Sequence, residues 1–112
     1  MEEFVISDLR DSESIYCVAI LDDQGFVKSS NPNNNETKQR MAKLAEILFA
    51  SDDFNKTSII TEHRIVIIHR LVRNFTLIVE CSTNSNLGLI REEIANAASR
   101  LDAYLSLSLI HI

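Results

Sequence analysis

Two near-continuous apolar runs dominate the middle of the chain, Arg64 to Leu71 (RIVIIHRL) and Phe75 to Cys81 (FTLIVEC). A strand with one buried face alternates apolar and polar residues. The first run instead sets Ile65, Ile67 and Leu71 on one face and Val66 and Ile68 on the other. In the second, Phe75, Leu77, Val79 and Cys81 share a face and Ile78 points the opposite way. Strands of this kind are covered on both sides, which predicts a central sheet with helices on both faces. A long amphipathic segment follows. From Asn86 onward, Leu87, Ile90, Ile94, Ala97, Ala98, Leu101 and Leu105 keep spacings of three and four, while Arg91, Glu92, Asn96, Arg100 and Asp102 fall mostly off that stripe. This is the pattern of a helix lying on the sheet.

The rest of the chain supplies the other elements. Residues 2–14 open with acidic residues, which suits a helix start, although Phe4-Val5-Ile6 favours a strand; the reading is a short helix. Ile15 to Asp22 is a first strand, Asp22-Asp23-Gln24-Gly25 a turn, and Phe26 to Ser29 a shorter second strand, together a hairpin. Ser30 to Asn35 (SNPNNN) reads as a loop ending in an N-cap at Asn34 or Asn35. A helix from Glu36 to about Ser51 carries Met41, Leu44, Ala45 and Leu48 on one stripe, with Ala42, Ile47 and Phe49 outside it or at its edge. That surplus of apolar circumference fits either a wide core stripe or contact with a second chain. Thr57 to Glu62 is a third strand. It joins the two long runs in an antiparallel meander, the last two strands connected tightly near Val72 to Asn74. Ser85 or Asn86 caps the final helix. The apolar tail, Ser106 to Ile112 (SLSLIHI), reads either as a continuation of that helix or as a docked extended segment. The predicted order is α-β-β-α-β-β-β-α in a single domain spanning residues 1–112.

Composition narrows the function classes. The chain has 112 residues, 46% hydrophobic and 24% charged, with a net charge of −5. This is globular composition for one core. An acidic chain without a basic run is poorly suited to nucleic acid or to an anionic membrane surface. No apolar stretch approaches the roughly 18 residues of a membrane-spanning helix. The acidic opening Met1-Glu2-Glu3-Phe4 does not read as a signal peptide. Cys17 and Cys81 each lie inside an apolar run and read as buried thiols in a reducing cytoplasm rather than a redox pair.

A search for chemistry finds little. The two glycines, Gly25 and Gly88, form no phosphate loop. His63, His69 and His111 have no ligand spacing with each other or with the cysteines, so no metal and no cofactor is expected. His69, inside an apolar run, reads as a core or edge histidine rather than a base. No serine lies in a nucleophile elbow. Acidic pairs such as Asp22-Asp23, Asp52-Asp53 and Glu92-Glu93 read as solvated charges. Arg64 and Arg73 are available as exposed arginines toward a partner, a signal any domain of this size carries.

The hairpin VAILDDQGF (Val18 to Phe26), the amphipathic second helix, the meander from Ser58 to Cys81, and Asn86-Leu87-Gly88-Leu89-Ile90-Arg91 opening the last helix together resemble the roadblock/dynein light chain superfamily, which includes regulators and scaffolds of small Ras-like GTPases. The resemblance covers about residues 15–105. It implies an α+β fold with a five-stranded antiparallel sheet between helices, and no catalytic site. It also implies a dimer joined through the second helix and third strand into one continuous sheet. On this chain those elements place the interface at Ala42, Ala45, Phe49, Ile59 and Ile60, each of which reads equally as core. An edge strand at Thr57 to Glu62 fits that arrangement, because an unprotected edge invites a partner.

The expectation is a non-enzymatic, cytoplasmic adaptor or regulator, a homodimer or a heterodimer with another roadblock-type chain, that binds a small Ras-like GTPase or scaffolds a larger complex. The competing expectation is a ligand- or peptide-sensing module of profilin-like or PAS-like type, which also places a sheet between helices. Fold does not fix function, so the choice between them rests on the surfaces.

Overall fold

A computed structural model describes the backbone at residues 2–50, 58–60 and 63–110, with side chains at 2–47 and 63–106. The elements are α1 (Glu2–Arg10), β1 (Ile15–Leu21), β2 (Val27–Asn31), α2 (Asn35–Ala50), β3 (Ser58–Ile60), β4 (Arg64–Arg70), β5 (Thr76–Ser82) and α3 (Leu87–Ile110). The sheet runs β2-β1-β5-β4-β3, and the pairing of β1 with β2 and β5, and of β4 with β3 and β5, is antiparallel. Four strands of five to seven residues make the body of the sheet. β3 adds three residues at its edge, where the sequence predicts a strand from Thr57 to Glu62. The ends of that prediction, Thr57, Thr61 and Glu62, lie outside the described residues.

The two faces of the sheet carry separate cores. On one, Ile65, Ile67, Leu77, Val79 and Cys81 pack beneath α1 and α3. On the other, Val66, Ile68 and Ile78 meet Met41 and Ala45 of α2, with Cys17, Ala19 and Leu21 from β1. The α3 stripe from Ile90 to Leu105 is buried as its spacing predicts, and Leu101 is fully enclosed. α3 is continuous through Ile110, so the first part of the apolar tail extends the helix. His111 and Ile112 lie outside the described residues.

Several local predictions shift by a few residues, each for a physical reason. α1 forms and ends at Arg10, and its buried Val5, Ile6 and Leu9 hold it on the sheet. β2 runs past Ser29: Ser30 pairs with Ala19 and Asn31 with Val18, so the first part of the predicted loop belongs to the strand. Polar residues suit an edge strand, and the chain leaves the sheet at the cis Asn31–Pro32 peptide. Asn34 caps α2, its Oδ1 accepting Thr37 N–H at 2.8 Å. Asn86 caps α3 through Leu89 N–H at 3.3 Å. Gly25 takes φ 85° in the first hairpin turn, where Asp22 Oδ1 accepts the N–H groups of Gln24 and Phe26. The join between β4 and β5 contains one short 3₁₀ segment, Val72–Asn74, which the expected element order lacks. Arg73 and Asn74 both adopt left-handed backbone there, at φ 63° and 64°. They sit in a three-residue loop closed by hydrogen bonds from Leu71 N–H to Phe75 O and from Phe75 N–H to Val72 O.

Candidate functional site

The α2 side of the sheet carries one of two polar features. The register between β1 and β5 slips between Ile15 and Cys17, which leaves Tyr16 as an extra residue directed outward. Beside it, Glu80 is a carboxylate on an otherwise apolar strand, and its side chain is 6% exposed. Two guanidiniums neutralise it. Arg40 of α2 lies 3.2 Å from Glu80 Oε1, and Arg64 of β4 bonds the same oxygen. Arg40 also donates to the Cys17 sulfur, and Arg64 stacks 4.6 Å from the Tyr16 ring centroid. The cluster therefore ties α2, β1, β4 and β5 together. Burial pushes the Cys17 thiol pKa up, against the opposing pull of Arg40. A thiol held protonated is a poor nucleophile, so this arrangement is a structural tie rather than a reactive centre.

The predicted interface residues fall in different places. Ala45 is buried in the core beneath α2, and Ala42 is half-buried next to it. Phe49 is on the last turn of α2, and Ile59 and Ile60 are on β3; their side chains lie outside those described. Ile47, at the margin of the predicted stripe, is 62% exposed on α2. Among the described residues β3 ends the sheet and pairs with β4 alone. His69 is half-buried on β4, and Arg73 is exposed at the β4–β5 turn.

The opposite side carries a cleft of about 510 Å³ between α1 and α3. Its floor is apolar, formed by the buried Val5, Leu9 and Ala97. Arg100 crosses it, bonding Asp8 at 3.0 Å and lying 5.7 Å from the Phe4 ring centroid. Asp11 and Glu93 line the remainder, with Ser12 and Asn96. The sequence gives no sign of this cleft, because its residues are ordinary surface positions on two helices far apart in the chain. The Glu80 cluster has a fainter signal, a lone glutamate inside an apolar run.

Among the described residues no group of histidine, cysteine and acidic side chains is arranged to hold a metal ion. No helix among them is long and apolar enough to cross a membrane. No protein-family model matches the chain, and no curated protein matches it. Solved structures do. MglB of Myxococcus xanthus superposes with a TM-score of 0.78 at 18% identity, covering 94% of each chain. A Roadblock/LC7 domain from Streptomyces avermitilis gives 0.79 at 16% identity, over 93% of this chain and 97% of that one. An MglB solved in a tetrameric arrangement gives 0.73 at 14% identity, over 91% and 85%. At these identities the likeness establishes the fold.

Proposed function

The chain has the roadblock/LC7 superfamily fold, and from that premise we propose that it is a non-enzymatic adaptor or regulator that assembles with a second roadblock-type chain and engages a small Ras-like GTPase. The observation that carries the reading is the α2–β3 side of the molecule. Among the described residues β3 ends the sheet with β4 as its one neighbour, and a strand edge is a template for another strand. α2, whose core face is filled by Met41 and Ala45 in the cluster that includes Val66 and Ile68 of the adjoining β4, exposes Ile47 and part of Ala42. A second copy laid edge to edge and helix to helix covers both features at once. Phe49, Ile59 and Ile60 complete that surface in this proposal, with Ala45 supporting it from beneath. The tetrameric arrangement of the MglB structure is consistent with a fold that self-assembles. The non-enzymatic reading draws support from the polar groups of the sheet, because Cys17, Arg40, Arg64 and Glu80 are engaged with one another.

Light scattering on the purified chain at two concentrations tests the assembly, with Ile47→Glu, Phe49→Glu and Ile60→Lys alongside. The expected result is a wild-type dimer and monomeric variants that keep their circular dichroism. A monomeric wild type at both concentrations removes the homodimer and directs the search to a different roadblock-type partner. Pull-down of small GTPases in their two nucleotide states then tests the regulatory half of the proposal.

A further inference from the structure

The cleft between α1 and α3 has a charge balance that the fold does not require. It holds three carboxylates, Asp8, Asp11 and Glu93, and one guanidinium, Arg100. Arg100 satisfies Asp8. Neither Asp11 nor Glu93 has an ion-pair partner among the described residues; Asp11 follows the last residue of α1, three positions from Asp8, and Glu93 lies about two turns from Arg100 on α3. Between them the floor is Leu9 and Ala97, with the Ser12 hydroxyl and the Asn96 carboxamide at the sides.

We propose that this cleft is a docking site for an arginine or lysine side chain presented by a basic segment of a partner protein. The cleft already contains one example of the chemistry. Arg100 reaches over an aromatic ring at one side and pairs with a carboxylate at the other. A guest side chain makes the same kind of contact one step along: its alkyl stem lies on Leu9 and Ala97 while its charged head meets Asp11 and Glu93. A metal ion is the poorer guest, because the acidic groups are not gathered into a coordinating set. A neutral or acidic segment covers the apolar floor but leaves two carboxylates without compensation. The chain's net charge of −5 adds a general attraction for a basic partner. The site lies on the sheet face opposite α2, so it stands independently of the proposed α2–β3 assembly and stays accessible within it.

The test is fluorescence anisotropy of a labelled tetra-arginine peptide titrated with the full chain at about 0.15 M salt, with tetra-citrulline as the uncharged match in shape. Three proteins are compared: wild type, Asp11→Asn/Glu93→Gln, and Asp23→Asn/Glu46→Gln. The last removes the same charge from the first hairpin turn and the exposed face of α2. The expected result is binding of tetra-arginine, none of tetra-citrulline, a roughly five- to ten-fold loss for the cleft variant, and a change within about two-fold for the control. Equal losses in both variants mean attraction to net charge alone and overturn the site, as does an undiminished affinity in the cleft variant or no binding to wild type. All four substituted positions are exposed, and circular dichroism checks the fold. If the double cleft variant departs from wild type, single Glu93→Gln is read by the same criteria. Light scattering on the cleft variant gives the wild-type mass, so failure here is separable from failure of the dimer.

Discussion

The carboxylate of Asp102, in the C-terminal half of α3, accepts the backbone N–H of Val72 at 2.8 Å. It thereby holds the β4–β5 turn against the helix. Charge places Asp102 off the buried stripe, yet it is half-buried because the turn folds down onto it. Asp102→Ala removes a charge-assisted bond and leaves a partly buried donor unmet, for an expected loss of about 1–2 kcal/mol in urea unfolding. Asp102→Asn keeps an acceptor and loses less.

The same turn carries a second prediction. Arg73 and Asn74 occupy left-handed backbone that favours asparagine and glycine. Arg73→Asn with Asn74→Gly relieves the left-handed strain at both positions and is expected to raise stability by about 0.5–1 kcal/mol, net of the entropy glycine adds to the unfolded chain. Asn74→Val, which puts a β-branched side chain at positive φ, is expected to lower it by about 1 kcal/mol or more. Thermal unfolding of the two variants against wild type gives opposite signs.

Glu80 is held from two sides, and its variants separate pair energy from buried charge. Arg40→Ala alone leaves Arg64 on the carboxylate and is expected to cost about 1 kcal/mol. Arg40→Ala with Arg64→Ala strips the charge of both partners, for an expected cost of about 3 kcal/mol or more. Glu80→Gln in the background of the double variant recovers part of that loss. Urea midpoints across the set measure the coupling, and additive values would show that the cluster does not act as a unit.

The thiols give a pH prediction. Burial pushes both Cys17 and Cys81 up from the ordinary value of 9.0, opposed by Arg40 at the first and by a Ser85 hydrogen bond at the second. The folded chain therefore holds these protons at pH values where the unfolded chain has released them. Their contribution is intact below pH 9 and erodes as pH rises above it. Stability is expected to fall on the alkaline side, less steeply in Cys17→Ala than in wild type. At pH 8 both thiols should react slowly with an aromatic disulfide reagent until denaturant is added. The two cysteines belong to opposite cores, so no bond between them forms in the folded chain.

Periodicity made the central architecture legible. Each apolar position of the two long runs lies on the face its alternation assigns, and α3 buries the stripe its spacing marks. The polar contacts were not legible, because they depend on pairing between distant segments. The slip between Ile20 and Leu21 leaves Lys28 without a partner on β1. Lys28 bonds Glu2 at 2.7 Å and Ser29 bonds it at 3.1 Å. Nothing in the spacing of residues 2, 28 and 29 announces that α1 is fastened to the edge strand. Nor does the sequence distinguish Asp11 and Glu93 from other surface acids, since the apolar floor beneath them comes from two helices.

A strand apolar on both faces has no hydrophobic reason to prefer one alignment over the next. Moving β4 by one residue against β5 would exchange Val66 and Ile68 for Ile65 and Ile67 and leave both cores oily. Glu80 removes that degeneracy. In the native alignment its carboxylate meets Arg64 of β4 as well as Arg40 of α2; one step away Arg64 turns to the opposite face, and the buried carboxylate keeps Arg40 alone. The buried glutamate thus acts as an indexing pin for the sheet, and its loss should show first as alternative strand pairings in hydrogen exchange rather than as a lower melting point alone.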